Sequence, residues 1–131
     1  MSDQFDVHSG QFNVGVISAV GSAIGFYVPK AGGVITLTNM GLLGYAAAAG
    51  TINGLKVVEW SVTTAGVLTL TGTLGTAPAA TSIPALGTVI PMTLTQAYVQ
   101  PGTVDKMVGL AWTSGTVTTD LYMTYAYIMG R

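Results

Sequence analysis

The stretch Gly66-Val67-Leu68-Thr69-Leu70-Thr71-Gly72-Thr73-Leu74 alternates large apolar side chains with small polar ones. Successive side chains of a β-strand point to opposite faces of its sheet. We therefore predict that Leu68, Leu70 and Leu74 share one face of a strand. Val67, Thr69 and Thr71 are expected on the other face. This period-two alternation is typical of an antiparallel sheet with one buried and one solvated face.

The rest of the chain favours the same class of structure. Threonine and valine, which suit a pleated surface, dominate, whereas the residues that usually cover exposed helix faces are scarce. Glycine and proline recur at intervals of about ten residues, the spacing of a sandwich or barrel. Pro91 indicates an edge position or a bulge within its strand, because proline cannot donate to the ladder. We predict eight strands, at 11–20, 24–29, 34–43, 54–62, 66–74, 88–96, 106–113 and 117–129.

Charge is unusually sparse. Only 7% of the residues are charged, against about a quarter in an ordinary soluble domain. No charged residue occurs between Glu59 and Asp105. Low charge gives little self-repulsion and weak solubility to a free monomer. The composition therefore indicates a subunit whose surface is largely covered by neighbours.

Several partners and compartments are disfavoured. The length fits one domain, and without cysteine there are no disulfides or thiolate metal sites. Four dispersed Lys and Arg residues are too few for a groove that tracks phosphates, so we expect no nucleic-acid partner. The polar, acidic start lacks the basic region of a secretory signal. The longest uncharged apolar windows are broken by glycines, so we expect no membrane span.

Side chains for catalysis are also scarce. His8 is the only histidine, and catalytic triads and metal sites need partners for it. The five carboxylates are scattered, and Glu59, in the predicted strand 54–62, is expected to pair with Lys56. The glycine-rich pieces lack the spacing and lysine of phosphate loops. We expect no enzymatic activity, no metal and no cofactor.

The aromatic residues leave two interpretations open. Trp60, Trp112 and Tyr98 could form a platform that stacks on sugars, or the two tryptophans could fill the core, where large aromatics contribute most. The core interpretation is favoured. The last predicted strand is apolar on both faces, which suits a central strand or a subunit interface. The residues predicted at that interface are Tyr122, Tyr125, Tyr127 and Ile128.

The order of these parts resembles one known group of proteins. A polar terminus leads to a strand that ends in Phe26-Tyr27-Val28-Pro29, and Gly33-Val34-Ile35-Thr36-Leu37 follows. Later come Ala97-Tyr98-Val99-Gln100-Pro101-Gly102 and the closing run Leu121-Tyr122-Met123-Thr124-Tyr125-Ala126-Tyr127-Ile128-Met129-Gly130-Arg131. The pattern is similar to that of the small jelly-roll decoration, or cement, proteins of tailed-bacteriophage capsids. It covers most of the chain as order and composition, without a catalytic motif.

The resemblance implies an all-β fold: an eight-stranded antiparallel β-sandwich of jelly-roll type, residues 11–131, preceded by an extended arm, residues 1–10. It implies a homotrimer on the outer surface of an icosahedral virion, bound to the major capsid protein and stabilising contacts between capsomers. Such proteins can reach the shell with a terminal arm. The residues predicted to contact the capsid are Gln4, Phe5, His8 and Phe12. The low charge departs from a wholly exposed protrusion and favours extensive burial.

Two other functions remain open. A carbohydrate-binding jelly-roll module for host-surface adhesion would bind a glycan through the aromatic platform. The isolated Asp105 and Asp120 weaken it, since lectins usually group such residues near glycine for hydroxyl or calcium recognition. A small hydrolase is the least favoured, because partners for acid–base chemistry are missing.

Overall fold

The computed structural model describes residues 7–30, 34–44, 50–77, 80–82, 89–95, 98–99 and 104–129. These residues form twelve β-strands and contain no α-helix. The strands are β1 (Val7–Ile17), β2 (Gly21–Val28), β3 (Ile35–Gly44), β4 (Gly50–Asn53), β5 (Lys56–Val62), β6 (Leu68–Thr76), β7 (Ala80–Ser82), β8 (Val89–Pro91), β9 (Thr93–Leu94), β10 (Tyr98–Val99), β11 (Lys106–Trp112) and β12 (Ser114–Met129). The predicted all-β class is confirmed.

The strands build two antiparallel sheets. In the first sheet β12 lies between β1 and β3, and β3 also pairs with β8 and β10. The short β4 pairs with the start of β12 and with β7. The second sheet has the order β2-β11-β5-β6-β9. The last strand is therefore central in its sheet, which is one of the two positions that its apolar faces indicated.

The pairing is that of a jelly roll. The eight predicted strands correspond to β1, β2, β3, β5, β6, the β8–β9 pair, β11 and β12. Numbered along the chain, they follow the order 1-8-3-6 in the first sheet and 2-7-4-5 in the second. Each sheet thus alternates strands from the two ends of the chain, as in the double Greek key of jelly rolls. The predicted β-sandwich is confirmed by hydrogen-bonded register.

The core lies between the two sheets. Its apolar side chains come from both halves of the chain, and several are completely buried, including Leu42, Ile52, Val57, Leu74, Val108, Leu110, Leu121 and Met123. Val108, Leu110 and Trp112, which alternate along β11, all belong to this core. Burial of apolar surface on this scale is the main force that holds two sheets together.

One predicted strand divides between the sheets. In the predicted strand 88–96, β8 pairs with β3 of the first sheet and β9 pairs with β6 of the second. The change occurs at Met92, whose amide donates to the carbonyl of Met40 at 2.8 Å. Pro91 is the last residue of β8, which in the described part of the chain pairs on one side only. The edge position predicted from the proline is confirmed.

The prediction that Leu74 shares one face of β6 with Leu68 and Leu70 is wrong. Leu74 is completely buried, but Leu68 and Leu70 are 37% and 58% exposed. The register between β5 and β6 shifts twice, between Val57 and Val58 and between Glu59 and Trp60. Each shift inserts one extra residue in β6 and reverses the side to which the following side chains point. Strict alternation therefore fails across this strand.

The first strand begins earlier than predicted. β1 starts at Val7, and residues 7–10 pair with Ile128, Tyr127, Ala126 and Tyr125 of β12. Four residues assigned to the extended arm thus belong to the first sheet. Residues 1–6 lie outside the described residues.

Candidate interaction surfaces

The most exposed apolar region is the hairpin between β5 and β6. Its turn is closed by hydrogen bonds from the amide of Thr63 to the carbonyl of Val67 and from the amide of Gly66 to the carbonyl of Thr63. Gly66 has a φ of 80°, a conformation that glycine adopts without strain. Residues 63–71 are all exposed, and none is charged. Val67, at 59% exposure, and Leu70 bring large apolar side chains to this surface.

An apolar row crosses the outer face of the second sheet. Leu70 pairs with Trp60, Trp60 with Met107, and Met107 with Tyr27, so the four side chains lie on one face. The two ends of the row are exposed, with Leu70 at 58% and Tyr27 at 49%. Trp60, in the middle of the row, is buried. Ile24, also exposed, pairs with Gly109 on the same face. The large side chains that this face exposes, Leu70, Tyr27 and Ile24, are therefore apolar or aromatic.

The outer edge of β6 is unpaired over most of its length. β5 pairs with one side of β6 from Leu68 to Thr76. On the other side β9 pairs only with Gly75 and Thr76 among the described residues. Within the described part of the chain, the segment 68–73 therefore has no partner strand on this side. Such an edge is a template for another strand.

A stack of aromatic rings joins β1, β2 and β12. The Phe26 ring lies 4.7 Å from Tyr125 and 5.1 Å from Tyr127, and Tyr127 stacks on His8 at 5.1 Å. Phe12 contacts Tyr125 from the other side, with a centroid distance of 6.2 Å. A side chain at position 25 would collide with the Phe12 ring, which explains the glycine there. The stack extends the core to one end of the sandwich.

The structure places the four predicted capsid-contact residues differently. Gln4 and Phe5 lie outside the described residues. His8 and Phe12 are in β1, where their rings contact Tyr127 and Tyr125 of the same chain. Phe12 is half-buried and His8 is exposed. Their contact with a capsid stays a prediction, and Phe12 also has a structural role within the subunit.

The four predicted interface residues divide between the two faces of β12. Tyr125 and Tyr127 lie on the same face as the buried Leu121 and Met123, and they pack against the core. Tyr122 and Ile128 lie on the opposite face by alternation, and both are partly buried. Their role in a subunit interface stays a prediction. Since Tyr125 and Tyr127 contact Phe26, they already contribute to the fold of the single chain.

Neither tryptophan offers an open ring to a sugar. Trp112 is 7% exposed, and its Nε1 donates to the carbonyl of Ala19 at 2.7 Å. It belongs to the core between the sheets, as expected. Trp60 is 9% exposed but lies on the outer face. Both are buried, although only Trp112 is in the core cluster. The side chain of Tyr98 lies outside the described residues.

A polar cluster closes one end of the second sheet. The Asp105 carboxylate accepts the backbone N–H of Lys30 at 2.8 Å and a hydrogen bond from the Tyr27 hydroxyl. The Lys30 amide, helped by the Tyr27 hydroxyl, lowers the pKa of Asp105. The carboxylate raises the pKa of Tyr27, because it accepts a hydrogen bond from the neutral phenol. This arrangement fastens the chain after β2 to the segment that precedes β11.

The buried ion pair differs from the one predicted. Glu59 Oε1 lies 3.1 Å from Nζ of Lys106, and the two side chains are 9% and 14% exposed. Lys56, the predicted partner of Glu59, is exposed and lies on the other face of β5. Three residues along a strand reverse the side-chain direction, so the expected pair was wrong. The register Val108 to Glu59 instead brings the start of β11 beside Glu59.

One concave surface among the described residues is lined by neutral side chains. An open groove of about 620 Å³ is lined by hydroxyl, amide and small residues: Ser18, Ala19, Gly50, Thr51, Asn53, Ser114, Gly115 and Thr116. Within the described ranges, no three His, Cys, Asp or Glu side chains are grouped so that they could hold a metal ion. The same part of the chain has no helix long and apolar enough to cross a membrane.

Comparisons with known proteins give a limited result. No family model and no curated protein matches the chain. Two solved structures are similar: a chain of the infectious bursal disease virus Gt strain, 12% identical with a TM-score of 0.36, and one of the Gx strain, 11% identical with a TM-score of 0.35. Each similarity covers 97% of this chain but only 37% and 36% of the viral chains. At these scores the likeness carries no argument, and the fold assignment rests on the strand pairing.

Proposed function

We propose that this chain is a non-enzymatic structural protein of a virion. In the specific form of the proposal, it is a decoration subunit on the outer surface of an icosahedral phage capsid. Its partners are copies of itself in a homotrimer and the major capsid protein, and it stabilises the contacts between capsomers. The observation that carries the proposal is the exposed and uncharged β5–β6 hairpin, with Val67, Leu68 and Leu70 open to solvent.

The physical argument concerns the cost of association. Long charged side chains lose rotamer freedom and water when they are buried at an interface. The exposed hairpin, residues 63–71, consists of threonine, alanine, glycine, valine and leucine, which lose little. A rigid sandwich of this composition is suited to repeated contacts in a symmetric assembly. Once one contact forms, the high effective concentration favours the next.

The jelly-roll pairing is compatible with this role but does not specify it. Jelly rolls occur in capsid proteins, lectins and enzymes, so function has to be argued from the surface. A carbohydrate-binding module would need an accessible aromatic face. Trp60 and Trp112 are buried, so neither supplies one. We therefore do not propose the glycan-binding alternative.

The direct test uses virus particles. Particles made without this chain should burst at lower temperature than complete ones, and purified chain added back should restore the difference. The Leu70→Lys variant is added back in parallel, because it places a charge on the proposed surface without touching the core. It should restore less of the difference than the unchanged chain. A chain that neither co-purifies with particles nor changes their stability would contradict the proposal.

The predicted arm can be tested separately. Removal of residues 2–6 leaves every described pair between β1 and β12 in place. If the arm contacts the shell through Gln4 and Phe5, this truncation should reduce occupancy on capsids while the melting temperature stays unchanged. Removal of residues 2–10 also deletes four β1 pairs, so it should lower both. Unchanged occupancy after the shorter truncation would reject the arm contact.

A further inference from the structure

We infer that the free edge of β6 pairs antiparallel with β6 of a second copy of this chain. The contact is two-fold, so it differs from the three-fold contact of a trimer. It would join two subunits, or two trimers, through one continuous sheet. The inference concerns the purified chain and does not rest on the proposed virion function.

The first argument is hydrogen bonding. From Leu68 to Thr73 one side of β6 bonds to β5, and the other side has no partner strand among the described residues. Exposed sheet edges are normally protected by lysine, proline, an inward charge, a β-bulge or a covering loop. The bulge of this segment lies at Thr71, so Leu68 to Leu70 form the regular part of the edge. This segment contains no proline and no charged residue. Its side chains from Leu68 to Thr71 are all exposed.

The second argument is complementarity of the side chains. In an antiparallel pair centred on Thr69, Leu68 of one copy lies opposite Leu70 of the other, and the reverse pair forms two residues away. Both leucines are on the outer face of the second sheet, so the two pairs would lie side by side there. The two Thr69 side chains meet on the other face. No like charges are brought together, because the nearest charged residue in sequence is Glu59, whose side chain is buried.

The third argument sets the strength of the contact. A specific, stable interface buries at least about 1,200 Å² in total. A pair of short strands with four leucines buries less than this. We therefore expect weak, reversible association that becomes extensive at high protein concentration or inside a larger assembly. The exposed row that ends at Leu70 would be continued across the two-fold axis by the row of the second copy.

Disulfide trapping tests the register. The chain has no cysteine, so a Thr69→Cys variant carries a single thiol. Directly opposite residues of an antiparallel pair have Cα atoms about 4.5–5.5 Å apart, within the range of a disulfide. Thr69→Cys should therefore form a covalent dimer under mild oxidation. Thr73→Cys, an equally exposed threonine of the same strand, should not, since the two copies of position 73 would be roughly 26 Å apart.

Self-association of the unmodified surface tests the pairing itself. Light scattering after size exclusion, from micromolar to millimolar protein, should show a dimer fraction that rises with concentration. Leu70→Lys should weaken the association by roughly tenfold or more, because edge lysines prevent strand pairing. Val20→Lys makes the same change at a residue that is 72% exposed, beside β2 at the other edge of the second sheet. This control should associate like the unchanged protein.

The outcomes are distinct. Concentration-dependent association that is lost in Leu70→Lys, with trapping at position 69 and not at 73, supports the inference. A monomer at all concentrations overturns it, as does association that Leu70→Lys leaves unchanged. Trapping equally efficient at positions 69 and 73 overturns the register. Thermal unfolding of each variant shows whether it is folded, and Thr69→Cys is conservative enough to keep the test valid if Leu70→Lys unfolds.

Discussion

At the scale of single residues, the buried ion pair of Lys106 and Glu59 is the most demanding feature. Removing two charges from water costs several kcal/mol each, and only close pairing compensates. The 3.1 Å contact provides that pairing. Each charge therefore depends on the other, and the pair ties the start of β11 to the middle of β5.

We predict that Lys106→Met lowers the free energy of unfolding by about 3–5 kcal/mol, because it leaves Glu59 as an uncompensated buried charge. Urea unfolding measures the change. The matched control is Lys56→Met, at an exposed position of β5, where a surface charge contributes no more than about 1 kcal/mol.

The double variant Glu59→Leu with Lys106→Met separates the pair from its surroundings. Replacing both charges by apolar side chains removes the unpaired charge, so much of the lost stability should return. A double variant as unstable as Lys106→Met would show that the damage comes from packing and not from the isolated charge.

Asp105 gives stability a weak dependence on pH. Its pKa is lowered in the folded protein by the Lys30 amide and the Tyr27 hydroxyl. A lowered pKa means that the stabilisation is present above the unfolded value, which is near 3.9, and is lost as the pH falls through the folded value. The site is solvent-exposed, so the effect is small. The urea midpoints of the unchanged protein and of Asp105→Asn should differ at pH 6. The two midpoints should converge as the pH falls into the acid range.

Tyr27 makes the stability depend on pH in the opposite direction. Its raised pKa means that the stabilisation is present at neutral pH and is lost when the phenol ionises at high pH. Tyr27→Phe should therefore remove part of the alkaline dependence. It should also move the Asp105 pKa toward its ordinary value, measurable by NMR titration. An unchanged carboxylate titration in Tyr27→Phe would contradict this hydrogen bond.

At the scale of elements, a bulge sets the contact between β2 and β11. The register shifts between Val108 and Gly109, where two residues of β11 oppose three of β2. A Cβ at position 109 would collide with the backbone carbonyl oxygen of Ala23. Backbone cannot move aside as the end of a side chain can, so this position requires glycine.

Gly109→Ala should destabilise the protein by about 2 kcal/mol or more, because the collision forces the two strands apart. Thermal unfolding gives the comparison. The control is Gly72→Ala in β6, where the nearest atom, 3.3 Å away, is the end of the Glu59 side chain. Equal losses in the two variants would show that the cost is that of any alanine in place of glycine and not of the close approach.

At the scale of the whole molecule, the pairing joins the ends of the chain. Val7 pairs with Ile128, and β2 pairs with β11. Because these contacts close long loops, folding has to pay the entropy of closure before it gains most of the native contacts. Folding in milliseconds to seconds is expected, as for other all-β sandwiches. Stopped-flow tryptophan fluorescence measures it, since Trp60 and Trp112 become buried; a microsecond phase with full amplitude would contradict the expectation.

Local pattern determined the class and most of the strands. Pro91 predicted an edge, because proline cannot donate to a strand ladder whatever its neighbours are. The apolar closing run allowed a central strand or a subunit interface, and the strand is central in its sheet. The lack of charge between Glu59 and Asp105 favoured a neutral surface for neighbours to cover, without locating that surface.

Tertiary structure decided what depends on register between distant segments. The register shift between Glu59 and Trp60 put Leu68 and Leu70 on the face opposite Leu74, and the register with β11 gave Glu59 the partner Lys106 in place of Lys56. Phe26 of β2 covers Tyr125 and Tyr127, which the sequence had suggested for a subunit interface. A strand specifies which side chains alternate, but a one-residue slip against its neighbour exchanges the faces. That slip is fixed by packing between the sheets, so the sequence of one strand does not contain it.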